Sequence, residues 1–103
     1  MFVVRIHVYP AVGKEGEARD ICQKLVKSRQ SRGMHDSLQV QLFSDGAVLV
    51  GISTFDTLAD YEKTRKERMT DSEWQEASTK LNAIVRAPSD TTIFEFVVPP
   101  IST

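Results

Sequence analysis

The order in which the hydrophobic spacing changes along the chain constrains its fold more than any other feature. Alternation of apolar and polar residues predicts a strand, and apolar residues three or four apart predict a helix. Alternation covers residues 2–9, 38–43, 47–53 and 91–98, and helical spacing covers about 13–32 and the segment from 58 to Pro88. The chain is therefore predicted to run strand, helix, strand, strand, helix, strand.

Local signals support this order. Ser44-Asp45-Gly46 separates the two middle strands, and an Asp-Gly pair supplies the backbone angles of a tight hairpin. Thr70-Asp71-Ser72-Glu73 matches a capping box, with Thr70 as the cap, so a second helical piece is predicted to begin near Asp71. Pro88 is predicted to end that helix.

The predicted architecture is a ferredoxin-like α+β fold with β-α-β-β-α-β order. Right-handed crossovers place both helices on one face of a four-stranded antiparallel sheet. The first strand is then central, between the second hairpin strand and the last strand. With 103 residues the chain is long enough for one domain, predicted over 1–103, with a C-terminal tail over 99–103.

The two faces of the predicted sheet differ in polarity. The nearly unbroken apolar set is predicted to face the helices: Phe2, Val4, Ile6, Val8, Leu38, Val40, Leu42, Val48, Val50, Ile52, Phe94 and Phe96. The opposite set mixes apolar with polar side chains: Val3, Arg5, His7, Tyr9, Gln39, Gln41, Phe43, Ala47, Leu49, Gly51, Ile93, Glu95 and Val97. Monomers seldom expose so much apolar surface, so a homodimer that buries this face is predicted.

Composition argues against several classes of partner. The formal net charge of −1 gives no electrostatic footprint for nucleic acid. No apolar run reaches the roughly 20 residues that span a bilayer, and no signal peptide is recognisable, so a cytoplasmic protein without a membrane partner is expected. Two histidines and one cysteine are too few for a convincing metal site.

Two stretches resemble a known superfamily. Residues 51–62 (GISTFDTLADYE) and 70–75 (TDSEWQ) are similar to the NIPSNAP pattern of a strand, a serine-rich cap, a Leu-x-x-Tyr helix and an Asp-x-x-Trp helix start. The pattern and the element order resemble the dimeric α+β barrel superfamily, which includes antibiotic-biosynthesis monooxygenases. The resemblance implies a homodimer whose two sheets form a barrel, with small organic ligands bound between sheet and helices.

The resemblance also bears on cofactors. Monooxygenases of this kind need neither metal nor flavin, because the substrate carbanion itself reacts with oxygen, so no cofactor is expected. The haem-degrading branch uses a polar residue on its first strand and a histidine with a tryptophan on its second helix. His7 matches the strand position and Trp74 is present, but no histidine follows His35, so haem is not predicted.

The predicted catalytic residues are Arg5, His7 and Glu95. The first and last strands are predicted neighbours, which would place Glu95 opposite Arg5 or His7. A carboxylate beside an imidazole raises the imidazole pKa and orients the ring, as a general base requires, and Arg5 would stabilise an enolate or carboxylate. The alternative is a cross-strand ion pair inside a dimer interface.

The predicted ligand-binding residues are Tyr9, Gln39 and Gln41, which would orient a ligand by hydrogen bonds, with Phe43 beside them and Trp74 as a pocket wall. The basic run over 63–68 is predicted to be a solvated helix face. Three functions remain open: a NIPSNAP-like dimer that binds a small organic ligand, a cofactor-independent monooxygenase or isomerase acting on an activated aromatic or polyketide-like substrate, and a purely structural dimer.

Overall fold

Seven elements build the protein, and the computed structural model describes residues 1–43 and 46–98. They are β1 (Phe2–Pro10), α1 (Glu15–Ser31), β2 (Asp36–Phe43), β3 (Gly46–Phe55), α2 (Leu58–Arg68), α3 (Ser72–Asn82) and β4 (Val85–Glu95). The sheet order is β2-β3-β1-β4 and every neighbouring pair is antiparallel. The predicted α+β, ferredoxin-like order with a central first strand is confirmed.

The hairpin between β2 and β3 follows the prediction where it is described. Ser44 and Asp45 of the predicted turn lie outside the described residues. Gly46 follows them with a φ of 152°, a value that L side chains rarely adopt and that favours glycine. The predicted tail over 99–103 also lies outside the described residues. In the part of the chain that is described, none of the helices has the length and apolarity needed to cross a membrane.

The second helical segment consists of two helices with separate caps. Thr57 caps α2, since its hydroxyl accepts a hydrogen bond from the Asp60 amide at 3.1 Å. Asp71 caps α3, where its carboxylate accepts from the amides of the second and third residues that follow it. The prediction of Thr70 as the cap was wrong, because the Thr70 hydroxyl donates back to the Glu67 carbonyl and the extended residue before the helix is Asp71.

The core shows which face of the sheet the helices cover. Val8, Ala18, Cys22, Leu49 and Ile84 form one buried cluster. Antiparallel pairing sets Leu49 directly opposite Val8, so both point to the helices. The predicted orientation of β3 was therefore wrong: Val48, Val50 and Ile52 lie on the open face. Both sides of this strand are apolar, and only its register with β1 decides which side faces inward.

The last strand begins earlier than predicted. Helix α3 ends at Asn82, and Pro88 lies inside β4 rather than ending a helix. Proline is tolerated there because β4 is an edge strand, and the pairing with β1 is irregular nearby, between His7 and Pro10. The prediction over-interpreted Pro88 as a helix stop.

The pairing of β4 with β1 also places the side chains of β4 on the faces opposite to those predicted. Phe94 lies opposite Val3 on the open face, whereas Glu95 lies opposite Phe2 on the helix-facing side. The predictions that Phe94 faces the helices and that Glu95 lies opposite Arg5 or His7 were therefore wrong.

Candidate functional site

A cavity of about 550 Å³ lies between the sheet and the helices. Its walls include apolar side chains of α1 and α3 and the rings of Tyr61 and Trp74. Gly51 forms part of its floor, because the register places this residue on the helix-facing side, opposite Ile6. A Cβ atom added at Gly51 would meet only the Ile6 carbonyl oxygen, at 4.0 Å. The absent side chain therefore leaves room in the cavity.

A buried charged network lines one part of this cavity. Arg29 of α1 is only 2% exposed, and its Nε donates to Oδ2 of Asp36. The Ser53 hydroxyl donates to Oδ1 of the same carboxylate at 3.0 Å. Arg29 continues the inner face of α1 on which Ala18 and Cys22 lie, which is why the helix turns this arginine inward. Both oxygens of Asp36 are thus engaged.

Two arginines contact the ring of Trp74, the residue predicted to wall a pocket. Cζ of Arg68 lies 4.2 Å from the ring centroid and Cζ of Arg29 lies 5.1 Å from it. Arg68 is 6% exposed, so the prediction that the whole basic run over 63–68 is solvated was wrong at this residue. Burial lowers the pKa of Arg68, and the positive charge of Arg29 lowers it further.

The Arg68 guanidinium forms no direct ion pair within the described residues, although the negative charge of Asp36 acts to raise its pKa. Its buried Nε has no hydrogen-bond partner there, and none of the ion pairs formed by residues 1–43 and 46–98 includes it. A second cavity of about 350 Å³ adjoins, and Arg29 and Arg68 line both cavities. The pair between Arg32 and Asp71, at 3.2 Å, lies in the wall of the smaller one.

A separate polar cluster lies on the open face of the sheet. Nδ1 of His7 lies 3.0 Å from Oδ1 of Asp90, but the two atoms do not have the geometry of a hydrogen bond. The Tyr9 hydroxyl donates a hydrogen bond to Oδ2 of Asp90 at 2.6 Å. This hydrogen bond raises the pKa of Tyr9. The carboxylate beside His7 is therefore Asp90 and not Glu95. Sequence reasoning missed it because it started the last strand at Thr91.

The predicted site residues divide between the two sides of the sheet. Arg5, His7, Tyr9, Gln39 and Gln41 lie on the open face, where Cζ of Arg5 is 5.0 Å from the Phe94 ring. Phe43 pairs with Gly46, but its side chain lies outside what the structure describes. Trp74 lines the cavity on the helix-facing side. His7 and Trp74, which were compared above with the haem-degrading branch, therefore lie on opposite sides of the sheet.

Two further observations concern metal ligands and the thiol of Cys22. Residues 1–43 and 46–98 contain no group of three His, Cys, Asp or Glu side chains placed to hold a metal ion. Cys22 lines the cavity, but burial raises its pKa to about 11, so the thiol stays protonated near neutral pH.

Comparison with solved structures places the fold among known proteins. An antibiotic biosynthesis monooxygenase superposes with a TM-score of 0.70 at 13% identity, over 96% of this chain and 100% of the other. A NIPSNAP domain protein from Burkholderia xenovorans gives 0.73 at 15% identity, over 98% and 100%. A NIPSNAP family protein from Agrobacterium tumefaciens gives 0.71 at 17% identity, over 92% of each chain. No family model matches the sequence, and no curated protein does.

The chain therefore has the fold shared by antibiotic biosynthesis monooxygenases and NIPSNAP proteins. The fold that the sequence resemblance implied for the single chain is confirmed. At these identities the likeness concerns the fold alone, since one fold hosts many functions.

Proposed function

We propose that this protein is a homodimer that binds a small organic ligand in the cavity between its sheet and its helices. The observation that carries the proposal is the cavity itself. Its volume of about 550 Å³ falls within the range of about 300–1,000 Å³ that is typical of small-molecule sites.

The lining of the cavity supports a ligand of mixed polarity. Leucine and valine side chains of α1, β3 and α3 make up much of its wall, and Trp74 adds an aromatic surface. Polar groups converge at one part of it, where Ser53, Arg29 and Arg68 lie. A mostly apolar pocket with a few placed polar groups is the usual composition of a binding site, because apolar area supplies affinity and polar groups fix orientation.

The binding proposal is tested by filling the cavity. Gly51→Leu places a side chain on the cavity floor without a backbone clash, and a larger residue suits a strand better than glycine. We expect wild type to bind the neutral fluorophore N-phenyl-1-naphthylamine, and Gly51→Leu to weaken binding by about tenfold or more while remaining folded. The matched control is Gly16→Leu, which adds the same side chain in open space on α1. Equal binding by all three proteins would contradict the proposal.

The exposure of β4 supports the homodimer. This eleven-residue edge strand is exposed at every position from Arg86 to Glu95. Phe94 is 47% exposed on the open face of the sheet, and an exposed edge with apolar side chains is a surface that proteins normally cover. A second copy related by a two-fold axis would cover both the edge and the face.

Light scattering tests the dimer. We expect wild type at twice the 11.6 kDa chain mass. Phe94→Lys should shift the mass toward the monomer, because it brings a second positive charge beside Arg5. Leu58→Lys is the control, since Leu58 has nearly the same exposure, 48%, at the start of α2. A monomeric wild type, or equal effects of the two substitutions, would count against this interface.

A second candidate function is supported by the cluster on the open face. There His7 would act as a general base oriented by Asp90, Arg5 would stabilise the resulting anion, and Tyr9, Gln39 and Gln41 would orient the substrate. This corresponds to a cofactor-independent monooxygenase or isomerase, with molecular oxygen as co-substrate in the first case. The supporting observation is the 3.0 Å separation of His7 and Asp90.

Turnover of activated phenols or quinols, followed by oxygen uptake and by product absorbance, tests the second candidate. His7→Ala should abolish turnover and Asp90→Asn should lower it, because the imidazole loses its orienting carboxylate. His35→Ala is the control, since His35 is exposed in the loop before β2. Turnover that survives His7→Ala would contradict the assignment of His7 as the base.

A further inference from the structure

We propose that the ligand of the cavity is an organic anion, whose carboxylate, sulfonate or phosphate group is held by Arg68 beside Arg29 and Trp74. The inference rests on the proposed ligand cavity and specifies the chemical class that this cavity takes.

The charge balance of the buried network is the first argument. Arg29 and Arg68 are both more than nine-tenths buried, and Asp36, the first residue of β2, is the carboxylate that pairs with Arg29. One oxygen of Asp36 accepts from Arg29 and the other accepts from Ser53. The described network therefore holds two guanidinium groups and one carboxylate, and a positive charge remains uncompensated. Buried charges are costly unless they are paired, so a surplus charge facing a cavity favours the binding of an anion there.

The hydrogen bonds of Arg68 are the second argument. A guanidinium presents five N–H donors in its plane, a geometry suited to the oxygens of an anion. Trp74 contacts this group at 4.2 Å from the ring centroid and stabilises its charge by a cation–π interaction. The ring offers no oxygen acceptor, however, and Nε has none among the described residues. Trp74 thus supports the guanidinium and leaves donors for a ligand.

The nearby acidic side chains do not replace that ligand. Asp71 borders the smaller cavity, but it pairs with Arg32 and caps α3. Glu67 and Glu73 also border that cavity; both are exposed, and in the described structure neither is paired with Arg68.

The position of the surplus charge determines how a ligand would lie in the larger cavity. Arg68 ends α2 and lines the larger cavity together with apolar residues of α1 and α3, such as Leu25 and Leu81. An anion with an aromatic or aliphatic body would place its charged group against Arg68 and its body along these side chains. A fully apolar ligand would leave the guanidinium unpaired, which the site therefore disfavours.

Two fluorescent probes of matched shape test the inference. 1-Anilinonaphthalene-8-sulfonate carries a sulfonate, and N-phenyl-1-naphthylamine has the same skeleton without it. We expect wild type to bind the sulfonate about tenfold or more tightly than the neutral probe, as charge-assisted bonds to a buried guanidinium would give. Arg68→Gln should remove most of this preference while the affinity for the neutral probe stays within about twofold. Lys66→Gln is the control, since it removes an equal charge from an exposed position on the same helix.

The outcomes separate the two levels of the proposal. If neither probe binds wild type, the proposed cavity function fails and the inference fails with it. If the neutral probe binds and the sulfonate has no advantage, only the anion inference is overturned. The anion inference is also overturned if Arg68→Gln and Lys66→Gln reduce the preference for the sulfonate equally. The preference would then depend on the overall charge of the protein and not on Arg68. If Arg68→Gln does not fold, Arg68→Lys replaces it, because lysine keeps the charge. The salt dependence of the wild type is a further test. If high salt removes the preference for the sulfonate as fully as it would remove binding to an exposed charge, the proposed site is overturned.

Discussion

The buried pair between Arg29 and Asp36 gives a stability prediction that can be worked from the structure. Asp36→Asn keeps the shape of the side chain and an acceptor for Ser53, but it removes the negative charge. Two guanidinium groups, Arg29 at 2% and Arg68 at 6% exposure, would then remain together without a carboxylate. Removing one partner of a buried ion pair typically costs about 3–5 kcal/mol. A domain of this size is stable by about 5–15 kcal/mol, so the variant should lose a large fraction of its stability.

Urea unfolding at pH 7 and fixed protein concentration measures this loss, with circular dichroism and the fluorescence of Trp74 as two probes. Asp20→Asn, at an exposed position of α1, should change the free energy of unfolding by less than about 0.5 kcal/mol. The double variant Arg29→Met/Asp36→Leu should recover much of the loss, because it removes both charges together. A loss below about 1 kcal/mol for Asp36→Asn would refute the reasoning, since the pair would then behave as a solvated surface bridge.

Three further predictions concern single groups. Asp90→Asn should lower the pKa of Tyr9 toward its ordinary value, because it removes the hydrogen-bonded carboxylate; ultraviolet titration against Tyr9→Phe measures this, and an unchanged pKa contradicts the contact. Burial raises the pKa of Cys22 to about 11, so at pH 9 the native thiol should react with iodoacetamide on the order of fifty-fold more slowly than in the unfolded chain. The contribution of the protonated thiol to stability should be lost as the pH rises from about 9 to 11. Equal alkylation rates in the native and unfolded chains would contradict the burial of Cys22. Asp71→Ala should cost about 1 kcal/mol through loss of the α3 cap, measured by urea unfolding, and no loss would show that the cap is not needed.

The order of the elements could be predicted from the sequence because the hydrophobic period differs between strands and helices. The facing of β3 could not, since Leu49 and Val50 are both apolar and only pairing with β1 distinguishes them. In β4 the helix-breaking tendency of Pro88 was weighed above its tolerance in an edge strand. That choice moved the start of the strand and hid Asp90, the carboxylate that lies beside His7.

The candidate site was predictable in part. Trp74 was assigned as a pocket wall and does line the cavity. The buried arginines were missed because charged residues are normally placed in solvent. A signal was nevertheless present: Arg29 lies seven residues after Cys22 on α1, and Arg68 lies seven after Tyr61 on α2, which is the spacing of one helix face. At both positions the arginine on this face is buried rather than solvated.

The most direct test of the account is to find where a ligand binds relative to the sheet. The chain has a single tryptophan, so the indole N–H of Trp74 gives one resolvable signal in a proton–nitrogen correlation spectrum. Titration with 1-naphthol should shift this signal and the amides of Gly51 and Leu81, while the amides of Gln39 and Gln41 on the open face move little. Shifts confined to Gln39, Gln41 and their neighbours, with Trp74 unchanged, would contradict a ligand cavity between sheet and helices.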